Sequence, residues 1–206
     1  MDRAKIAATR AWVTEAGLAG TSEPDLLEGF CSRLIAAGVP LARAALVIDT
    51  LHPVYEGRVF RWRHDQRGAR LVLEYGRTEE NVASADSWRR SPFYHLLQSG
   101  ETALRRNLLR DRIDDFPVMV ELREEGQTDY LALIHRFAAD GVIGEMDCIY
   151  SSWSTELPSG FTDEQIATLS DLVPALALAA KCTSLTRIAE TLVETYLGRD
   201  AGRRVL

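Results

Sequence analysis

The residue types that could form a binding site in this sequence are mostly aromatic, and they fall on predicted strands and on the segment between them. The nine candidates for lining an effector pocket are Phe60, Trp62, Trp88, Phe93, Tyr94, His95, Tyr130, Cys148 and Trp153. Small-molecule pockets are built from aromatic walls with a few polar groups. We therefore predict a pocket for a small-molecule effector, with the alternative that these side chains only fill the core.

Motifs for catalysis and for metal binding are absent from the sequence. No GxGxxG, P-loop, GxSxG or HExxH pattern occurs, and the four histidines share no ligand spacing with one another or with a cysteine. Glu145 and Asp147 share a face of a predicted strand, where they could bind a cation or act as acid and base; a solvated face is the alternative. Cys148 could be an attachment or redox residue, or an inert buried thiol. We predict no metal site and no enzymatic activity in this chain.

Composition and charge argue against several other classes of protein. The 206 residues carry a net charge of −6, whereas a nucleic-acid binder needs a basic surface. The three cysteines form no CxxC pair, which is typical of reduced thiols in the cytoplasm. Neither a signal-peptide apolar segment nor a run of about 18 apolar residues occurs. We expect a cytoplasmic protein without a nucleic-acid or membrane partner.

The elements that would position the candidate residues follow from the apolar pattern. Two N-terminal helices are predicted, the second with capping-box spacing between Ser22 and Asp25. Strand patterns at the middle of the chain alternate Phe60 and Trp62 with Arg61 and Arg63. The predicted helices cover 2–17, 22–38, 91–100 and 116–125, and the predicted strands cover 43–51, 57–64, 71–75, 102–108, 129–137 and 144–154. This order predicts an α+β fold with an antiparallel sheet, resembling sensor domains of the GAF or PAS type.

The last fifth of the sequence predicts one long helix. Thr162 and Gln165 have capping-box spacing, Phe161 and Ile166 have the spacing of a hydrophobic staple, and Gly198 is a plausible end. The helix would have roughly 35 residues, with a bend at Pro174. We predict that two copies pair in parallel through this helix; the alternative is a helix folded onto its own sheet. The predicted dimer and signalling residues are Leu169, Val173, Leu176, Leu185, Ile188, Leu192 and Tyr196.

The end of the chain resembles a segment of bacterial class III adenylate cyclases. Residues 192–206, with the pattern Tyr-Leu-Gly-x-x-x-Gly-x-x-Val-Leu, are similar to the element that joins a sensor region to the cyclase catalytic domain in that family. The upstream segments that resemble the family's GAF-like N-terminal region are 49–53, 91–94, 128–130, 144–147 and 150–153. The resemblance implies three segments: N-terminal helices at 1–38, a GAF-like sensor core at 39–160, and a long helix with transducer linker at 161–206.

The same resemblance implies a regulatory role. The parent protein would make cyclic AMP from ATP, with Mg²⁺ or Mn²⁺ expected only in a catalytic domain that lies outside this chain; the chain itself would need no cofactor, and its effector is unidentified. Gly198 and Gly202 would let the chain bend beyond the helix, and Arg199, Asp200 and Arg203 would contact the partner or the catalytic domain. Three alternatives stay open: a ligand-free dimerisation module, a sensor domain coupled to another signalling output, and a stand-alone catalyst that uses Cys148.

Overall fold

The computed structural model describes residues 1–49, 57–66, 71–75, 82–137 and 148–197. Its helices are α1 (Arg3–Leu18), α2 (Glu23–Ala36), α3 (Val82–Arg89), α4 (Pro92–Ser99), α5 (Pro117–Glu124) and α6 (Asp163–Leu197). Its strands are β1 (Arg43–Asp49), β2 (Gly57–Arg63), β3 (Leu71–Tyr75), β4 (Ala103–Asn107), β5 (Asp129–Arg136) and β6 (Cys148–Thr155). The predicted order of helices and strands is therefore confirmed.

The strands form one six-stranded antiparallel sheet in the order β3-β2-β1-β6-β5-β4. The β1-β2-β3 meander and the antiparallel β5-β6 pair agree with the predicted antiparallel sheet. Strands β1 and β6 lie at the centre of the sheet and are the first and last of the described strands in the chain. They pair with Leu46 opposite Ser151. Neighbouring strands in sequence thus stay adjacent, and a single long-range pairing unites the two halves.

Helices α1, α2 and α6 cover one face of the sheet, which we call the helical face. Strand side chains alternate between faces, so residues opposite one another across the sheet share a face. Leu46, Phe60 and Trp153 point to the helical face, where they are buried with α2 and α6 side chains such as Phe30 and Leu176. The predicted segments 1–38, 39–160 and 161–206 therefore all contribute to one core.

Helices α3, α4 and α5 lie over part of the opposite face, which we call the cavity face. A second, smaller core there contains Val47 of β1, Tyr150 of β6, Leu96 of α4 and Met119 of α5. Because these helices are only eight residues long, they cover the sheet incompletely. The space that they leave is the candidate functional site.

The start of α6 is fixed by hydrogen bonds that the sequence predicted and by others that it did not. The Thr162 backbone N–H donates to Gln165 Oε1 (2.9 Å), and the Gln165 N–H donates to Thr162 Oγ1 (3.3 Å), which confirms the capping box. The buried carboxylate of Asp129 accepts from the Phe161 N–H (2.9 Å) and from Arg105 Nη2 (2.7 Å). The last strands and the long helix are thereby joined at one point.

Two helices begin without a side-chain cap, and for α2 this differs from the predicted capping box. The Ser22 hydroxyl donates to Asp25 Oδ2 (2.6 Å) and caps no backbone group of α2. Phe116, with no polar side chain, is the residue that precedes α5 in the cap position. In both cases a proline in the first turn, Pro24 or Pro117, sets the helix start.

The predicted dimer seam needs correction in its first half. Leu169, Val173 and Leu176 are fully buried in the chain's own core, because α6 packs lengthwise beside α1 and over the sheet. The second half differs, since Leu185, Leu192 and Tyr196 are 39%, 43% and 83% exposed. Ile188 is half-buried against the core. Leu178 is also exposed, so the part of α6 from Leu178 onward is available to a partner, and its use as a seam stays a prediction.

By length and composition α6 would also suffice to cross a membrane, since an 18-residue window within Asp163–Tyr196 reaches a mean hydropathy of 1.3. A helix buried in a protein core meets the same criterion, and the run from Leu172 to Ala180 lies largely in the core. Of the 18-residue window, 39% is buried inside the protein.

Several predictions concern residues outside the described ranges. They are the carboxylates Glu145 and Asp147, the helix end at Gly198, and the roles of Arg199, Asp200, Gly202 and Arg203.

Candidate functional site

A cavity of about 840 Å³ lies between the cavity face of the sheet and helices α3, α4 and α5. Its floor comes from β1, β2, β5 and β6, and its walls come from residues 86–93 and 117–122. This volume lies within the range of small-molecule sites, which is about 300–1,000 Å³. The cavity is therefore large enough for a ligand of drug or metabolite size.

One end of the cavity is apolar. Val59 and Val47 lie opposite each other on β2 and β1, and Tyr150 continues the same row on β6. The rings of Trp88 and Phe93 pack on Tyr150 with centroid separations of 5.4 Å and 5.3 Å. Such aromatic contacts add about 0.5–1.5 kcal/mol beyond buried area. They hold α3 and α4 over the sheet and form an apolar wall.

The next row along the strands is polar. Arg61 on β2 lies opposite Ala45 on β1, and Ala45 lies opposite Ser152 on β6. All three residues line the cavity. The Ala45 side chain is only a methyl group, so it leaves open the space between the Arg61 guanidinium and the Ser152 hydroxyl.

Tyr130 completes the floor on the β5 side. Burial raises the pKa of Tyr130, while a hydrogen bond with Ser152 acts in the opposite direction. The phenol therefore stays protonated at neutral pH and forms hydrogen bonds without carrying a charge. With Ser152 and Ser154 it gives this side of the cavity a neutral, hydroxyl-rich lining.

The charged groups of the cavity differ in how they are paired. Arg43 forms an ion pair with Glu125, which also lies 3.3 Å from Arg63 Nη1. Arg90 Nη1 lies 4.0 Å from Asp86, four residues earlier on the same wall. Within the described part of the chain, Arg61 has no ion pair or side-chain hydrogen bond. Arg61 is therefore the lining cation that is available to a ligand.

Three of the predicted pocket residues line the cavity with their side chains. Trp88, Phe93 and Tyr130 belong to its walls and floor. Phe60 does not line the cavity, and the rings of Phe60, Trp62 and Trp153 are buried in the core of the helical face. Trp62 and Trp153 still border the cavity from their strands. The reason is strand alternation, which turns these three rings away from α3–α5.

The remaining three candidates also lie off the cavity. Tyr94 packs edge-on against the outer side of Trp88 at 6.3 Å, and His95 packs against Phe116 at 5.6 Å. Cys148 is fully buried at the start of β6 and does not line the cavity. A thiol without solvent access cannot serve as an exposed nucleophile, so the structure does not support the Cys148 catalyst.

The sequence reasoning missed the polar floor residues Arg61, Ser152 and Ser154. Their signal was present, because the alternation in β2 places Arg61 opposite in direction to Phe60 and Trp62. The apolar rings of β2 instead point into the core of the helical face. Among the described residues, no group of three His, Cys, Asp or Glu side chains is placed to hold a metal ion.

Comparisons with known proteins give a fold and no family. No family model and no curated protein matches the sequence. Among solved structures, the GAF domain of a two-component sensor histidine kinase from Bacillus halodurans is 13% identical, with a TM-score of 0.52 over 79% of this chain and 95% of that chain.

Two further structures are similar over most of their length. The phycocyanobilin-bound GAF domain of a cyanobacterial phytochrome is 13% identical, with a TM-score of 0.55 over 86% of this chain and 94% of that one. An N-acylhomoserine lactone-dependent LuxR-family transcription factor from Burkholderia cenocepacia is 10% identical, with a TM-score of 0.52 over 90% and 99%. At such identities the similarity concerns architecture alone. The antiparallel sheet, its flanking helices and the long C-terminal helix together are a GAF-like α+β fold.

Proposed function

We propose that this chain is a sensor domain that binds a small molecule in the cavity and regulates a neighbouring domain or partner through α6. The observation that carries the proposal is the position of β2 between the two. Val59 and Arg61 of this strand line the cavity, whereas Arg58 and Phe60 point to the helical face where α6 packs. A ligand that shifts β2 therefore acts on both faces of the sheet.

The path from β2 to α6 runs through a buried carboxylate. Glu23 at the start of α2 is fully buried; its Oε1 lies 4.0 Å from Arg58 Nη1, and its Oε2 lies 2.5 Å from Arg187 Nη2 on α6. The Thr183 hydroxyl also donates to the Thr21 carbonyl (3.1 Å). These contacts hold the second half of α6 against the domain. A ligand controls that half only if it binds one arrangement better than the other.

A small-molecule ligand is also consistent with the structural neighbours. One is described as bound to phycocyanobilin, and another as dependent on an N-acylhomoserine lactone. These names describe those proteins. They support a ligand-responsive role here only as a precedent for the fold, and they do not identify the effector.

For the output we propose a parallel homodimer. Leu178, Leu185 and Leu192 are exposed and spaced seven residues apart, which is the repeat of one seam position in a two-stranded coiled coil. This seam replaces the one that included the buried Leu169, Val173 and Leu176. The half-buried Ile188 and the exposed Tyr196 flank it.

The downstream domain that we propose is a class III adenylate cyclase, on the resemblance of residues 192–206. Catalytic sites of that family form between two subunits, so the relative position of two entering helices would set the rate of cyclic AMP synthesis. Mg²⁺ or Mn²⁺ would belong to that catalytic domain. We place the protein in the cytoplasm, where ATP is available. A chimera that joins this chain to a class III catalytic domain, assayed with and without Leu185→Asp, tests the coupling.

The cavity itself is tested with a neutral fluorescent probe, N-phenyl-1-naphthylamine. We expect saturable binding to the folded chain, with loss of binding in Ala45→Trp, because the indole would fill the space above β1. The matched control is Leu109→Trp at an exposed turn position away from the cavity. Absence of probe binding, or equal binding to Ala45→Trp, would favour the ligand-free dimerisation module.

A further inference from the structure

We infer that the cavity selects an aromatic anion, whose ring lies against Trp88 and Phe93 and whose negative group pairs with Arg61. The inference rests on the proposed function and adds the chemical class of the effector. Three features of the cavity carry it: its polarity changes along one direction, one of its arginines has no ion pair among the described residues, and the space beside that arginine is open.

The polarity changes from one row of the sheet to the next. Val59 and Val47 form the apolar row under Trp88, and Arg61 and Ser152 form the polar row two residues along the strands. Residues two apart on one strand lie about 7 Å apart. A ligand of one or two aromatic rings with an acidic substituent spans that distance.

Two charged residues of the cavity lining have no ion pair among the described residues, Arg61 on β2 and Glu121 on α5. The other lining arginines have carboxylate neighbours, Glu125 for Arg43 and Asp86 for Arg90. The guanidinium of Arg61 has none among the described residues. A guanidinium offers five N–H donors in a planar fork that matches a carboxylate, a sulfonate or a phosphate.

The open space lies between Arg61 and Ser152. Ala45 separates them on the floor, and its methyl group leaves both polar groups accessible from the same side. An acidic group above Ala45 would accept hydrogen bonds from the guanidinium on one side and from the Ser152 hydroxyl on the other. The guanidinium thereby gains a charged partner, which a neutral ligand of the same shape does not provide.

Two fluorescent probes with the same rings test the inference on the full chain. 8-Anilinonaphthalene-1-sulfonate carries the negative group, and N-phenyl-1-naphthylamine lacks it. We expect Arg61→Met to weaken sulfonate binding at least about tenfold, because a charge-assisted hydrogen bond is lost. Binding of the neutral probe should change less than about twofold, since methionine preserves the apolar stem.

The control is Arg110→Met, which removes an exposed arginine that does not line the cavity. Both variants remove one positive charge from the protein, so they differ only in where the removed arginine lies. Arg110→Met should therefore leave the binding of both probes unchanged. An equal loss of sulfonate binding in Arg61→Met and Arg110→Met would overturn the inference in favour of long-range attraction. Unchanged sulfonate binding in Arg61→Met would overturn it as well.

Failure of the inference and failure of the proposed function give different results. If neither probe binds, the cavity is closed to ligands and both fall. Suppose that the neutral probe binds the unmodified chain but not Ala45→Trp, and that sulfonate binding is the same in Arg61→Met. Only the anion assignment then falls. Arg61→Lys provides a further check. The lysine ammonium keeps the positive charge but lacks the planar fork, so this variant should retain part of the sulfonate affinity.

Discussion

Arg187 Nη2 on α6 lies 2.5 Å from Oε2 of Glu23, a carboxylate that is fully buried at the start of α2. The two residues are separated by 164 positions in sequence. Their contact is the last described ion pair between α6 and the rest of the domain. Beyond it, Leu192 and Tyr196 are exposed, so this pair marks where the helix leaves the domain.

Replacing Arg187 by methionine should release the second half of α6. Loss of one partner of a buried pair costs several kcal/mol, but Arg187 is partly exposed and Arg58 still faces Glu23. We expect a loss of about 1–2 kcal/mol in the free energy of unfolding, and faster amide exchange at residues 183–197. Urea titration and hydrogen exchange measure the two effects.

The control for this prediction is Asp171→Asn, which breaks the exposed ion pair between Arg10 and Asp171 on the first half of α6. Surface pairs contribute about 0–1 kcal/mol. This variant should leave exchange at 183–197 unchanged. Equal exchange in Arg187→Met and in the unmodified chain would contradict an anchoring role for Glu23.

Gly160→Ala should destabilise the start of α6 more than a glycine change elsewhere. Gly160 has φ +71°, and a Cβ there would lie 2.5 Å from Asp129 Oδ2, the atom that accepts from Phe161. Gly126 also has a positive φ (+89°), but a Cβ there would contact nothing within 4 Å. We expect Gly126→Ala to cost about 1 kcal/mol from backbone strain alone and Gly160→Ala at least about 2 kcal/mol. Equal unfolding midpoints for the two variants would contradict the close approach.

The proposed dimer predicts that charges at Leu185 and Leu192 prevent pairing. Aspartate at a seam position must be desolvated beside a second copy of itself, which weakens association strongly. Light scattering should report a dimer for the unmodified chain and a monomer for Leu185→Asp/Leu192→Asp. Leu109→Asp, at an exposed leucine on a turn, should stay dimeric. An unmodified chain that is monomeric at high concentration would exclude the dimer.

His135 predicts a pH dependence of stability. Burial lowers the pKa of His135, which lies near the end of β5. The unfolded state therefore binds a proton at a higher pH than the folded state does, and stability falls as pH drops below about 6.5. His135→Gln should reduce the difference in unfolding midpoint between pH 7.5 and pH 5.5. An unchanged difference in His135→Gln would assign the dependence to other groups.

The sequence predicted local features well. The capping box at Thr162 and the alternation of Phe60 with Arg61 depend on neighbours within a few residues, so their signals are complete in the chain itself. The side of the sheet that carries the cavity was assigned wrongly for Phe60. That side depends on where α3–α5 cross the sheet, which no local pattern contains. The Glu23–Arg187 pair had no local signal for the same reason.

The most direct test of the account compares ligand binding with the exchange of α6. The cavity is titrated with N-phenyl-1-naphthylamine while amide exchange is followed at residues 183–197, with Ala45→Trp as the control that cannot bind. We predict that exchange in this segment changes and saturates at the same probe concentration as the fluorescence does. Saturated fluorescence with unchanged exchange at 183–197 would contradict coupling between the cavity and the long helix.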